Sequence, residues 1–122
     1  MHSMKSVGTA ITPDGPGAER PDMVIGDLDG QSCDPAFTAF VAERLESFGY
    51  SVAVNTPYKG AEIIRIHGRP AENRHALQIE MKRALYMDEA TISANQGYAR
   101  LKADLRRLVA EVAAWTREAR AA

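Results

Sequence analysis

Between His75 and Glu89 the chain reads HALQIEMKRALYMDE, a run whose polar residues could do chemistry. Leu77, Ile79 and Met81 alternate with Gln78, Glu80 and Lys82, which is the period of a half-buried strand. An amide, a carboxylate and a cation therefore share one face, and Arg83, Tyr86, Asp88 and Glu89 follow closely. A carboxylate held in such a row can move a proton as general acid or base. An arginine beside it can grip a substrate carboxylate with two parallel hydrogen bonds. The same pattern also describes a plain strand edge facing water, and pattern alone does not separate the two.

Two other stretches hold reactive residue types. GDLDGQSCD brings together Asp27, Ser32 and Cys33, and NTPYKG brings Asn55 and Tyr58. Cys33 could be a nucleophile, but neither His67 nor His75 is legible as its base, so a small buried packing role fits better. Asp27 could orient a histidine ligand. Asn55 suits a turn cap as well as a ligand contact, and Tyr58 and Tyr86 divide between packing and substrate contact.

These residues need elements to hold them. DMVIGD, residues 22–27, is a short apolar run suited to a buried strand, and YSVAVN, 50–55, is a second, β-branched one. Between them Asp34-Pro35 is a good helix start, Phe37, Phe40, Val41, Leu45 and Phe48 recur at helical spacing, and Gly49 is placed to end the helix. Strand, helix and strand with short links make a βαβ unit, hence parallel pairing and a right-handed crossover. HALQIEMK is the third strand. IIRIHG, 63–68, reads equally as a strand or a turn of helix. Residues 5–21 are rich in Gly and Pro and read as a loop or mobile segment. From 97 to 120, Leu101, Leu105, Leu108, Val112 and Trp115 mark a long amphipathic C-terminal helix. Packing across the sheet with a charged back is its plain reading, and a coiled-coil or partner-binding role is the other. The expected fold is α/β with a mainly parallel, mixed sheet flanked by helices. In such sheets ligands bind beyond the C-terminal ends of the strands, so GDLDGQSCD, NTPYKG and KRALYMDE are expected along one polar edge.

Bulk properties exclude several classes. A chain of 122 residues with 45% apolar and 25% charged content is one globular domain or part of one. The net charge of −1 gives no case for nucleic acid or an anionic membrane, and the C-terminal helix interleaves Asp104, Glu111 and Glu118 with its arginines. No run reaches the length of a membrane span, and MHSMKSVGTA lacks a signal-peptide core. One cysteine allows no intrachain disulfide and no zinc knuckle, and makes a cytoplasmic setting the default. There is no internal repeat.

Taken in order, HSMKSVG, GDLDGQSCDP, GYSVAVNTPYKG, GRP and HALQIEMKRALYMDE resemble the N-formylglutamate amidohydrolase family over nearly the whole chain, from His2 to about Val109. Lys5 stands where that family commonly has proline, and MKR where it commonly has Ile-Asn-Arg. The resemblance implies part of a zinc-carboxypeptidase-like, phosphorylase/hydrolase-like fold, and a zinc-dependent enzyme of histidine breakdown. Such an enzyme splits the amide of N-formyl-L-glutamate or a related N-acyl amino acid with a metal-activated water. It implies Glu80 as the catalytic carboxylate and His2 as a metal ligand. Arg83 is the candidate for the substrate carboxylate, with Arg65 and Arg69 as competitors, and Tyr86, Tyr58 and Asn55 are candidate substrate contacts. The family's histidine-plus-glutamate metal motif is expected ahead of the HSM segment, so the chain is read as the C-terminal portion of a longer, truncated domain. Alone it is expected to hold zinc weakly and to have little or no activity. The rival reading is a non-catalytic remnant or small-anion-binding module, with sheet edge and core surface open to self-association or to pairing with a separate N-terminal segment.

Overall fold

The computed structural model describes residues 1–121. Four short strands form a mixed sheet in the order β1-β4-β2-β3, with β1 at His2–Met4, β2 at Met23–Gly26, β3 at Val52–Val54 and β4 at Gln78–Lys82. β1 runs parallel to β4 and β2 parallel to β3, while β2 and β4 are antiparallel. The fold is thus α/β with a mainly parallel sheet, as the sequence predicts. Helix α1, Pro35–Ser47, makes the expected crossover between β2 and β3. Its start is fixed by Asp34, whose carboxylate accepts from the Ala36 N–H at 2.8 Å, with Pro35 at the first helical position. Gly49, at φ 97°, lies just past its end.

Alternation along the strands sorts side chains onto two faces. Met23 and Ile25 of β2 and Ile79 of β4 point toward α1 and toward α3, Tyr98–Ala121, forming a core with Val41, Leu45, Tyr50, Leu101 and Leu108. Trp115 extends this core by stacking on Phe37 and Phe40 at 5.6 and 5.3 Å. The opposite face carries Val24, Gly26, Gln78 and Glu80, and is covered by irregular chain. The stretch left open as strand or helix is a helix, α2, Glu62–His67. A two-residue-stranded hairpin, β5 at Met87–Asp88 and β6 at Ser93–Ala94, leads to α3.

One expectation is corrected. Because β4 runs antiparallel to β2, KRALYMDE leaves the sheet at the edge opposite to GDLDGQSCD and NTPYKG. The three loops do not line one edge, since side-chain alternation is the same for either strand direction. What reaches Glu80 instead is chain folded over the second face. Residues 5–21 cross it with a single bridge, Val7 to Glu19, turned by Gly15 and Gly17 at φ 80° and 75°. The 55–60 loop crosses it from the other side, held by Leu28 N–H donating to the Lys59 carbonyl at 2.8 Å.

Candidate active site

Glu80 sits at the centre of the second face, 9% exposed, with His2 of β1 and Val24 of β2 as its cross-strand partners. The Gln78 amide donates to its Oε1 at 2.9 Å. His2 Nδ1 lies 3.8 Å from the same oxygen, beyond a direct hydrogen bond. Burial pushes the Glu80 carboxyl above the ordinary carboxylate range, and the charges of His2, the N-terminal ammonium, Arg20 and Arg83 only partly oppose this. A carboxyl raised in this way holds a proton more readily than an ordinary surface carboxylate, which favours a role in proton transfer.

A cavity of about 270 Å³ opens beside Glu80, lined also by Ser3, Lys5, Thr12, Arg20, Tyr58 and Arg83. The structure therefore brings Glu80, Arg83 and Tyr58 to one cavity, with His2 near Glu80 but not in its lining. Arg83 is half-buried, and its one hydrogen bond is a long one, from Nε to Ser3 Oγ at 3.3 Å. Its competitors lie elsewhere and are engaged: Arg65 pairs with Glu62 on α2, and Arg69 with Glu72 at 3.5 Å.

Two candidates do not join this group. Tyr86 packs against the helical core and lines a separate, apolar cavity with Met1, Met81, Tyr98 and Leu101. The turn of 3-10 helix at Arg83–Leu85 breaks the strand period and swings it there. Asn55, at φ 59°, is held by Asp27: its Nδ2 donates to Asp27 Oδ1 at 2.7 Å and its Oδ1 accepts from the Asp27 N–H at 3.0 Å. Asp27 also accepts from Thr38 Oγ1 at 2.7 Å and Gly30 N–H at 2.8 Å, so it braces two loops rather than a histidine. Cys33 is buried at 3.1 Å from Thr38 Oγ1, and burial pushes its thiol up, away from a nucleophilic thiolate.

Sequence reasoning missed Arg20, which organises the cavity wall. Its guanidinium, almost fully buried, holds both Asp14 oxygens at 2.8 and 2.9 Å, the Lys5 carbonyl at 2.9 Å and the Tyr58 hydroxyl at 3.0 Å. It also stands 5.1 Å from the centre of the Tyr58 ring. Because the Tyr58 oxygen accepts from Arg20, its own proton is left for another partner. No local pattern marks Arg20; only the folding back of the Gly-rich loop puts Asp14 beside it. Arg20→Gln is expected to lower the melting temperature by several degrees and to make residues 5–21 more sensitive to limited proteolysis. The Arg20 guanidinium holds the Asp14 carboxyl well below the usual range. A depressed folded pKa gives stability that is present above the unfolded value and lost as pH falls through the folded one. The clamp is thus intact at neutral pH and weakens only in acid below about pH 4.

Catalytic zinc takes about three protein ligands and an open position. Among the described residues no group of three His, Cys, Asp or Glu side chains is placed to hold an ion. His2 and Glu80 face each other, but they do not make a metal site by themselves.

Residues 1–87 match the model of the N-formylglutamate amidohydrolase family. An N-formylglutamate deformylase of Pseudomonas aeruginosa is 37% identical over 105 residues, covering 80% of this chain and 38% of its own. One of the same name from Pseudomonas putida is 42% identical over 74 residues, covering 57% and 26%. The crystal structure of N-formylglutamate amidohydrolase from Ralstonia eutropha JMP134 superposes with a TM-score of 0.84 at 38% identity, over 97% of this chain and 42% of that one. A bacteriophage poly-gamma-glutamate hydrolase, at 16% identity and a TM-score of 0.51 over 93% of this chain and 52% of its own, shares the fold alone. This chain therefore spans less than half the length of each of the first three.

Proposed function

The chain belongs to the N-formylglutamate amidohydrolase family, and from that premise we propose that it carries the proton-transfer and substrate-binding part of an amidohydrolase acting on N-formyl-L-glutamate or a related N-acyl amino acid. The observation that carries this reading is the cavity itself: a desolvated Glu80 with a raised pKa beside an arginine, Arg83, that has no carboxylate partner among the described residues. Glu80 takes a proton from the attacking water and passes one to the leaving amine. Arg83 takes a substrate carboxylate through its planar fork. Tyr58, its hydroxyl held as acceptor by Arg20, turns its O–H toward the bound amide or carboxylate.

Zinc dependence belongs to this reading, with His2 as the ligand that the described residues offer. The described residues do not complete a metal site. The chain alone is accordingly expected to hold zinc weakly and to turn over slowly or not at all. Tight one-to-one zinc binding with release of formate by the 122-residue chain would overturn that expectation.

Substrate binding is the direct test. Titration calorimetry should detect N-formyl-L-glutamate binding to the chain, and Arg83→Gln should weaken it about tenfold, the loss of one charge-assisted contact of roughly 1.4 kcal/mol. The same variants of Arg65 and Arg69, already paired on the surface, should bind like the wild type. A cavity that binds the compound but supports no turnover even when the chain is joined to residues that complete a metal site and loaded with metal would favour the small-anion-binding reading instead.

A further inference from the structure

Three cations border the Glu80 cavity, and they are not equivalent. Arg20 gives two hydrogen bonds to Asp14, one to the Lys5 carbonyl and one to Tyr58. Four of the five guanidinium N–H groups are therefore committed, and its charge is matched by a carboxylate within the protein. Lys5 and Arg83 differ in both respects. Neither forms an ion pair among the described residues, and the Lys5 ammonium has no hydrogen bond there.

Lys5 is exposed, but its backbone is anchored. Arg20 Nη1 holds its carbonyl at 2.9 Å, directly after the strand that carries His2. The side chain thus springs from a fixed point on the cavity wall. The cavity presents two positive charges without an ion-pair partner among the described residues, against the one carboxylate, Glu80, that the chemistry needs for protons. A ligand with one carboxylate would satisfy one cation and leave the other unmatched. A ligand with two would satisfy both.

We propose that Lys5 is a specificity-determining residue, whose ammonium takes the second carboxylate of a dicarboxylic N-acyl amino acid while Arg83 takes the first. This rests on the reading that the cavity holds an N-acyl amino acid, and it adds which residue selects the acidic side chain. Arg20 contributes by fixing the Lys5 backbone, and does not itself contact the ligand's charge.

The test compares N-formyl-L-glutamate with N-formyl-L-glutamine, which has nearly the same shape but an uncharged side-chain amide. Titration calorimetry at 150 mM salt (on the order of physiological) is run on the wild type, Lys5→Met and Lys102→Met. The wild type should prefer the glutamate compound about fivefold, the scale of one partly exposed charge pair. Lys5→Met should lose that preference by losing affinity for the glutamate compound alone, with an unchanged circular dichroism melt. Lys102→Met, which removes the same charge from α3, should keep it. A preference equal in the wild type and Lys5→Met overturns the role of Lys5 and leaves the wider functional reading standing, as does an equal loss in Lys102→Met. Binding of neither compound by the wild type overturns both.

Discussion

Glu80→Gln is expected to lower turnover of N-formyl-L-glutamate by about 10²–10⁴-fold, the range that a positioned acid–base group contributes, while the substrate binds as well as before or better. Glutamine keeps the volume, and Gln78 can still donate to its Oε1. An amide cannot accept and return a proton at neutral pH, so the loss falls on turnover. Binding gains if anything, since a negative charge facing an anionic substrate is removed. Formate release is the measurement, made on whichever form of the protein turns over, the chain itself or the chain joined to the residues that complete a metal site. Turnover unchanged in Glu80→Gln would show that another group moves the proton.

The same substitution carries a stability signature that separates function from folding. Burial holds the Glu80 carboxyl above its ordinary value. A raised folded pKa means that the folded state favours the protonated form. Its contribution is fully present below the unfolded pKa of about 4.3 and is lost as pH rises through the folded value. At pH near 7 the wild type therefore bears the cost of a desolvated ion that Gln does not bear. Glu80→Gln should melt higher than the wild type at neutral pH, and the gap should close toward pH 4. A residue whose removal stabilises the fold while abolishing turnover is held there for its chemistry.

Legibility in the sequence followed what local pattern can encode. The α1 helix and its cap, and the strands at Met23–Gly26 and Gln78–Lys82, were readable because periodicity, Asp34-Pro35 and Gly49 act within a few residues. The direction of β4 was not, because alternation is blind to it, and with it went the expectation of a single polar edge. The choice between packing and substrate contact for Tyr86 stayed open for a related reason: the 3-10 turn ends the strand period just before it. Glu80 as a proton carrier came from family resemblance, since a lone strand glutamate has the same pattern whether it faces water or Val24. Arg20 had no signal at all. Its role depends on Asp14, Lys5 and Tyr58 reaching it from 6, 15 and 38 residues away, which only the folded loops achieve. The Gly- and Pro-rich segment, read as a loop or mobile segment, supplies Lys5, Thr12 and Arg20 to the cavity wall.

Closure from the opposite side turns on one glycine, and Gly26→Ala is the second change expected to act strongly. Gly26 ends β2 on the cavity face, where the 55–60 loop passes over it. A Cβ there would lie 2.5 Å from the Lys59 carbonyl carbon, 2.6 Å from the Gly60 nitrogen and 2.7 Å from the Lys59 oxygen. All three are backbone atoms, so no side-chain rotation relieves the clash, and Leu28 pins the same carbonyl at 2.8 Å. The loop must lift, carrying Tyr58 away from Arg20. Overpacking of this kind costs about 1–3 kcal/mol, and the displaced Tyr58 should also weaken binding of N-formyl-L-glutamate. Gly30→Ala provides the contrast. Gly30 sits at φ 83° with open space around its missing Cβ, so alanine there should cost only backbone strain, roughly 1 kcal/mol, and leave binding intact. Melting curves and titration calorimetry on the pair separate the two effects. If both variants lose stability but only Gly26→Ala loses affinity, the loop over β2 is a wall of the binding cavity. If Gly26→Ala binds like the wild type, Tyr58 is not held at the substrate by that loop, and the cavity is closed by residues 5–21 alone.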